Sequence, residues 1–329
     1  MYTKKYLQEL QAKPLWWKVQ RSIGLIMEWH TRHEGRVYVA FSGGKDSTIL
    51  LHLARQVFPD IPAVFCDTGL EYPEIKSFAL AQENVITVKP ELTFFKVLSL
   101  YGYPIIGKEV AELLFYARKG SRWAINRLGG FKDDGTYSEF RKRFKKHAYL
   151  FGAPFGISSR CCAIMKIKPL EKYEQESKRR PMVATMAHES QIREGNWLKT
   201  GCNSFGLKGK SKPLSFWLEQ DVLEYLQWSG IAYSPVYGEI TTESQQLTIE
   251  GKTEGRLVTT GCNRTGCMFC CFGVHREKSP NRFERMKATH PKLYDYCING
   301  GHYDDDGKLQ PDKSGLGLGK VLDFIGVKY

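Results

Sequence analysis

The sequence predicts an α/β chain: a doubly wound, mainly parallel sheet followed by a small cysteine-rich C-terminal region. Three observations carry this. Short apolar runs alternate with stretches of helical periodicity, the pattern of a parallel sheet joined by crossover helices. A glycine pair sits where the first run passes into the first crossover helix. Four of the nine cysteines fall between Cys262 and Cys271, in a part of the chain where periodicity has faded.

The elements follow in order. Leu15, Trp16, Val19, Ile23, Ile26, Met27 and Trp29 recur at helical spacing over residues 15–33. Val37–Phe41 is a short apolar run, read as a buried strand, and Asp46 onward resumes helical spacing through Ile49, Leu50, Leu51, Leu53 and Ala54. Ala63–Cys66 is a second strand, residues 73–82 a helix opened by Pro73, and Val85–Val88 a third strand. Lys166–Ser177 reads as a helix and Val183–Ala187 as a later strand of the same sheet. Residues 1–35 form an N-terminal helical segment, 36–230 the main domain and 231–329 the cysteine-rich region. Gly315–Gly319 is a turn into a final short helix, since no strand leads into it. No internal repeat is present.

The formal net charge is +13, which favours a polyanionic partner, because a lysine or arginine beside a phosphate releases counterions. A small phosphorylated substrate is the plainer reading. Residues 118–146, within a basic insertion at about 118–150, hold ten Lys or Arg against three acids. They suit either contact with nucleic acid or a solvated helix pair. No apolar run reaches the roughly 18 residues a membrane span needs. Lys4, Lys5, Lys13, Lys18 and Arg21 interrupt any signal-peptide core. The expected location is cytoplasmic, away from the membrane.

Ser42-Gly43-Gly44-Lys45-Asp46-Ser47, between a strand and a helix, places backbone N–H groups at a helix N-terminus, where amides and dipole both favour a phosphate. The glycines permit close approach, Lys45 brings a point charge, and Ser42 and Ser47 bring hydroxyls. The spacing is not that of a Walker A loop.

Phe41–Ser47 resembles the signature of the PP-loop ATP pyrophosphatases, in the branch holding PAPS and APS reductases and DNA phosphorothioation sulfurtransferases. Cys66–Glu74 resembles that family's Asp-Thr-Gly segment, His188–Arg193 its Glu-Ser-x-x-Arg segment, and Lys212-Pro213-Leu214 with Trp217 and Asp221-Val222 a later one. The similarity spans about residues 36–275. It implies an adenine nucleotide alpha-hydrolase-like fold and attack of a substrate oxygen on the α-phosphorus of ATP, with loss of pyrophosphate. Ser42, Gly43, Gly44, Lys45, Asp46, Ser47, Asp67, Thr68, Glu189 and Arg193 would hold the nucleotide. Asp46 and Asp67 would lie near nucleotide or Mg2+, and Lys45 and Arg193 would face phosphate or substrate oxyanions. A capping turn at Asp67 and an ion pair of Glu189 with Arg193 are the structural alternatives.

Cys267-x-x-Cys270 directs two thiolates at one point, and Cys162 with Cys262 completes four, enough for a 4Fe-4S cluster or a zinc ion. The family resemblance of Arg160-Cys161-Cys162 favours iron–sulfur and the set Cys162, Cys262, Cys267, Cys270, with Cys161 and then Cys271 as substitutes. Cys66, Cys202 and Cys297 are packing residues. His275 and His302 are surface or substrate-contacting residues, and Asp304–Asp306 an acidic turn.

Three functions compete. The first is an ATP-dependent sulfurtransferase that adenylates an oxygen on nucleic acid, DNA or tRNA, fed by a sulfur donor such as a cysteine desulfurase. The intact loop favours it. The second is a PAPS/APS reductase-type oxidoreductase, which the resemblance pairs with a C-terminal Glu-Cys-Gly-x-His segment. That segment is not found in this sequence. The third is a non-catalytic nucleotide-sensing module that binds nucleic acid.

Overall fold

The computed structural model describes residues 1–206, 208–243 and 255–329. These form two compact units. The first comprises Met1–Asp67, Glu71–Lys89 and Pro169–Thr265, the second Thr68–Leu70, Pro90–Lys168 and Gly266–Tyr329. These units cut the chain elsewhere than the sequence boundaries at 36, 230 and 231. Residues 90–168 group with the C-terminal stretch, and the first 35 residues group with the sheet that carries Val37–Phe41.

The first unit opens with helices α1 (Lys4–Gln11) and α2 (Leu15–Arg32), then runs β1 (Val37–Phe41), α3 (Lys45–Val57), β2 (Ala63–Cys66), α4 (Pro73–Leu80) and β3 (Val85–Val88). With the strand Arg180–Met182 these make a four-stranded parallel sheet, ordered β3-β2-β1 and then 180–182. Val39 lies opposite Ala63, and Ala63 opposite Val85, while Val37 lies opposite Arg180 on the other side of β1. The order therefore reverses beside β1, and the crevice outside the carboxyl ends of the strands at such a reversal is where open α/β sheets bind ligands.

The continuous apolar run of β1 follows from burial on both faces. Val37, Val39 and Phe41 pack into the core with Leu25, Ile26 and Trp29 of α2 and Ile49, Leu50 and Leu53 of α3, while Tyr38 on the opposite face is fully buried and donates to Glu174 Oε1 at 2.8 Å. Leu7 and Leu10 of α1 join the same core.

The strand expected at Val183–Ala187 lies earlier, at Arg180–Met182. The apolar letters misled here. Arg180 and Pro181 pair with β1 at the sheet edge, where a proline's missing N–H is tolerated. Val183 instead donates its N–H to Ser211 O, and Ala187 its N–H to Ser215 O. The helix read over Lys166–Ser177 spans Lys168–Ser177, after a π-helical turn at Ala163–Ile167.

The second unit is mainly helical, with helices at Phe94–Tyr101, Lys108–Ala117, Arg122–Gly129, Arg282–Thr289, Pro291–Ile298 and Leu318–Phe324. A short parallel pair joins Ile105–Ile106 to Cys271–Phe272. Gly317, with a positive φ of 68°, turns the chain into the last helix. The basic stretch forms the helix Arg122–Gly129 and the short turn Lys142–Lys145. Several of its charges are consumed internally: Arg127 and Arg143 pair with Glu109 and Arg141 with Asp133, and Arg118 donates to the carbonyls of Leu150 and Ala153. Among the described residues no helix is long and apolar enough to cross a membrane.

Candidate active site

β1 ends at Phe41 and α3 begins at Lys45, so Ser42–Gly44 form the whole connection and Gly44 is the residue before the helix. Gly43 sits at φ +71°, and a Cβ there would stand 2.8 Å from Ile75 O. Only glycine takes this conformation without strain at such close backbone approach. The serines brace the turn. Ser42 N–H donates to Ser47 Oγ at 3.2 Å, and Ser47 Oγ donates to Gly44 O at 2.8 Å. The result is a rigid turn opening a thirteen-residue helix with Asp46 in its first turn.

Lys45 is buried, 3% exposed, and its partners come from far along the chain. Its Nζ donates to Asn263 O at 2.6 Å and pairs with Glu219 Oε1 at 2.7 Å. The Lys45 N–H donates to Tyr237 Oη at 3.2 Å, and that hydroxyl also bonds Thr265 Oγ1 at 2.6 Å. The ammonium and amide thus already hold a carboxylate, a carbonyl and a hydroxyl, oxygens in the roles that phosphate oxygens would take. Tyr237 and Glu219 carry no motif, and Tyr237 lies 192 residues from Lys45 in sequence. Their placement comes from tertiary packing alone.

Asp46 has a buried oxygen, Oδ1, with no hydrogen-bond partner, and so does Asp67. Burial pushes the Asp46 carboxyl up to about 6, with Lys45 opposing and Glu219 adding to the rise. At neutral pH Asp46 is therefore an ionised carboxylate with an orphaned lone pair, a donor chemistry that suits a divalent cation. Asp67 Oδ2 pairs with Lys76 at 2.9 Å. Thr68 accepts the Leu70 N–H at 3.2 Å in the second unit.

Glu189 and Arg193 pair with each other, as the structural alternative has it. Glu189 also accepts from Arg264 at 3.1 Å and from the Met186 N–H at 3.0 Å. Ser190 caps the helix Gln191–Thr200 by accepting the Arg193 N–H. Arg264, unmarked in the sequence, is a second guanidinium on the same carboxylate.

In the second unit Cys161, Cys162, Cys267 and Cys270 line one small cavity with Phe94, Met165 and Lys166. The hydrogen bond from Cys161 holds the Cys162 thiol below its ordinary value, against burial and with help from Lys108 and Lys166. The same bond raises Cys161. Burial pushes Cys270 up to about 11. A lowered Cys162 thiol grouped with three further cysteines, with lysines beside it, is a donor set whose chemistry suits a thiolate-ligated cluster or zinc. As they stand, no three His, Cys, Asp or Glu side chains among the described residues form a group able to hold a metal ion. Cys262 belongs to the first unit, where its N–H donates to Val236 O. Cys271 is wholly buried in the strand pair with Ile105, and Cys297 is likewise buried. His302 is exposed beside Asp312, and His275 is part-buried with an unpartnered Nδ1.

A parallel sheet whose first strand turns through Gly-Gly-Lys into a helix defines an α/β protein with a glycine turn at its first strand–helix junction. The chain belongs to the phosphoadenosine phosphosulfate reductase domain family, whose model matches residues 36–96 and 120–272, in the PAPS reductase-like branch of the PP-loop superfamily. It is 21% identical to an uncharacterized protein of Methanocaldococcus jannaschii over 85% of this chain and 52% of that one. It is 23% identical to the adenosine 5'-phosphosulfate reductase of Streptomyces coelicolor over 64% of this chain and 70% of that one. A crystal structure of phosphoadenylyl-sulfate reductase from Candida auris, a phosphate complex, aligns at 12% identity and a TM-score of 0.37, over 71% of this chain and 91% of that one. The chain spans about half the length of the archaeal relative.

Proposed function

We propose that this chain is an ATP-dependent sulfurtransferase: it adenylates an acceptor oxygen with release of pyrophosphate, and sulfide-level sulfur then displaces AMP, which leaves with that oxygen, with nucleic acid as the acceptor. The observation that carries this reading is the complete Ser42–Ser47 turn, with Gly43 at positive φ and Lys45 at the helix start. A triphosphate seated there would meet the Lys45 ammonium and N–H in place of Glu219, Asn263 O and Tyr237 Oη. Charge growing on the departing pyrophosphate would be met by Lys45 and the loop amides. Asp46 and Asp67 would hold Mg2+ through their unpartnered oxygens. Arg193 or Arg264, released from Glu189, would grip an oxyanion bidentately.

A 4Fe-4S cluster held by Cys162, Cys267 and Cys270 with Cys161, or with Cys262 as the family resemblance favours, would supply the sulfide-handling chemistry; zinc is the alternative. A sulfur-donor protein such as a cysteine desulfurase would feed it. The cellular setting that fits these parts is the cytoplasm.

A reductase reading is favoured by relatives that are named as reductases, among them the Streptomyces coelicolor protein. One assay separates the two. Pyrophosphate release from ATP, dependent on added DNA or tRNA, is expected, with sulfite formation from APS or PAPS absent. Lys45→Ala should lower turnover at least a hundredfold, the scale of losing one charge-stabilising donor. Sulfite formation without ATP turnover would replace the sulfurtransferase reading with the reductase one.

A further inference from the structure

Beyond the end of the strand Arg180–Met182 lies a cavity of about 430 Å³ within the first unit. Its apolar floor includes Val183, Met186 and Ala187, and its walls carry Thr185, Thr200 and Ser204. Five cations line it: Arg193 and Lys199 from the helix Gln191–Thr200, and Lys208, Lys210 and Lys212 from the segment that follows. Among the described residues no carboxylate does. Arg193 answers Glu189, and Lys212 Nζ donates to Thr200 Oγ1 at 3.0 Å. Among the described residues Lys199, Lys208 and Lys210 have no ion pair. None of the loop residues 42–48 lines the cavity.

Gathering exposed cations around one concavity with no described carboxylate carries a repulsive cost that solvent weakens but the concave surface focuses. A polyanion reverses the sign of that cost. The volume is in the range of small-ligand sites, and the apolar floor with hydroxyl walls gives a phosphate-bearing molecule somewhere to put its uncharged part.

We propose that this cavity is a second anion site, distinct from the Ser42–Ser47 turn, that binds a phosphate-bearing ligand: a small phosphorylated molecule or the backbone of a nucleic-acid strand. It does not depend on ATP turnover. The lysines would act as point charges on phosphate oxygens, with Arg193 shared between the cavity and the Glu189 pair.

The test uses the full chain and two probes, inorganic pyrophosphate and a short oligothymidylate, each titrated alongside a non-hydrolysable ATP analogue. Lys199→Gln/Lys210→Gln, both on exposed side chains, should weaken at least one probe roughly tenfold and leave the ATP analogue within about twofold. A response to pyrophosphate alone identifies a small phosphoanion, and one to oligothymidylate alone a strand. Lys45→Ala should do the reverse, weakening the ATP analogue while the cavity probe still binds. If the double variant binds both probes like the parent, or if all probe binding disappears with Lys45→Ala, the cavity is no anion site. If the ATP analogue never binds while the probes bind through the lysines, the cavity stands and the nucleotide reading of the loop falls.

Discussion

At Asp46 the physics of burial and of function pull in opposite directions. Its carboxyl is pushed from 3.8 up to about 6, so the folded chain holds that proton more tightly than the unfolded one. A raised acid contributes most to stability below 3.8, and the contribution is lost as pH rises to about 6. At neutral pH the folded protein carries an ionised, poorly paired carboxylate that costs on the order of 3 kcal/mol relative to the same group in the unfolded chain. In the protein free of nucleotide and divalent cation, Asp46→Asn should therefore raise the melting temperature at pH 8 and change little at pH 4. Equal shifts at both pH values would mean that burial does not set this group's energy. The same variant should lose Mg2+-dependent nucleotide binding if, as proposed, the orphaned Oδ1 that destabilises the free protein is the oxygen that would meet the cation. Strain is concentrated here as it is at many functional sites.

Between elements, a buried long-range tie in the first unit joins α2 to the helix Glu219–Ser229. Lys18 Nζ donates to both oxygens of Asp221, at 2.7 and 2.6 Å, and Lys18 is 2% exposed. Asp221 Oδ2 also caps its own helix by accepting the Leu218 N–H at 2.6 Å. Removing one partner of a buried pair strands the other charge, so Lys18→Met should cost about 3–5 kcal/mol, and Lys18→Met/Asp221→Asn should recover part of it. Denaturant melts would show this, and a single-variant loss under about 1 kcal/mol would place the pair in water.

This pair also marks the limit of what the sequence discloses. β1, β2, β3 and α2–α4 are legible because local periodicity and the Gly43-Gly44 turn agree with the tertiary result. The strand at Arg180–Met182 is not, because ladder partners and not apolar letters define it. Lys18 reads as an ordinary basic letter in an N-terminal helix, and Tyr237, Glu219 and Arg264 as spacers, because each gains its role from a partner scores of residues away. Of the cysteines, the Cys267-x-x-Cys270 turn is local and readable, whereas the neighbourhood of Cys161 and Cys162 with it is a product of folding. Anaerobically purified protein should accordingly carry iron and acid-labile sulfide that Cys162→Ala, Cys267→Ala and Cys270→Ala each abolish. Retention of full iron in any of the three would remove that thiol from the ligand set.

Over the whole molecule the argument turns on where the +13 charge goes. Part of it is structural: Arg127, Arg141 and Arg143 satisfy nearby carboxylates, and Arg118 satisfies backbone carbonyls. Among the described residues Lys199, Lys208 and Lys210 have no such use, and they line a cavity that no described carboxylate lines. A surplus that folding does not consume should appear as counterion release when a nucleic acid binds, so affinity must fall as a power of salt concentration. With about three or more phosphates neutralised by these lysines, raising salt from about 50 to 200 mM should weaken oligothymidylate binding by about twentyfold or more. Lys199→Gln/Lys210→Gln should flatten that dependence by about two charges' worth. Affinity that stays level across the salt range would mean that the positive surplus keeps the protein dispersed in solution and recognises no strand.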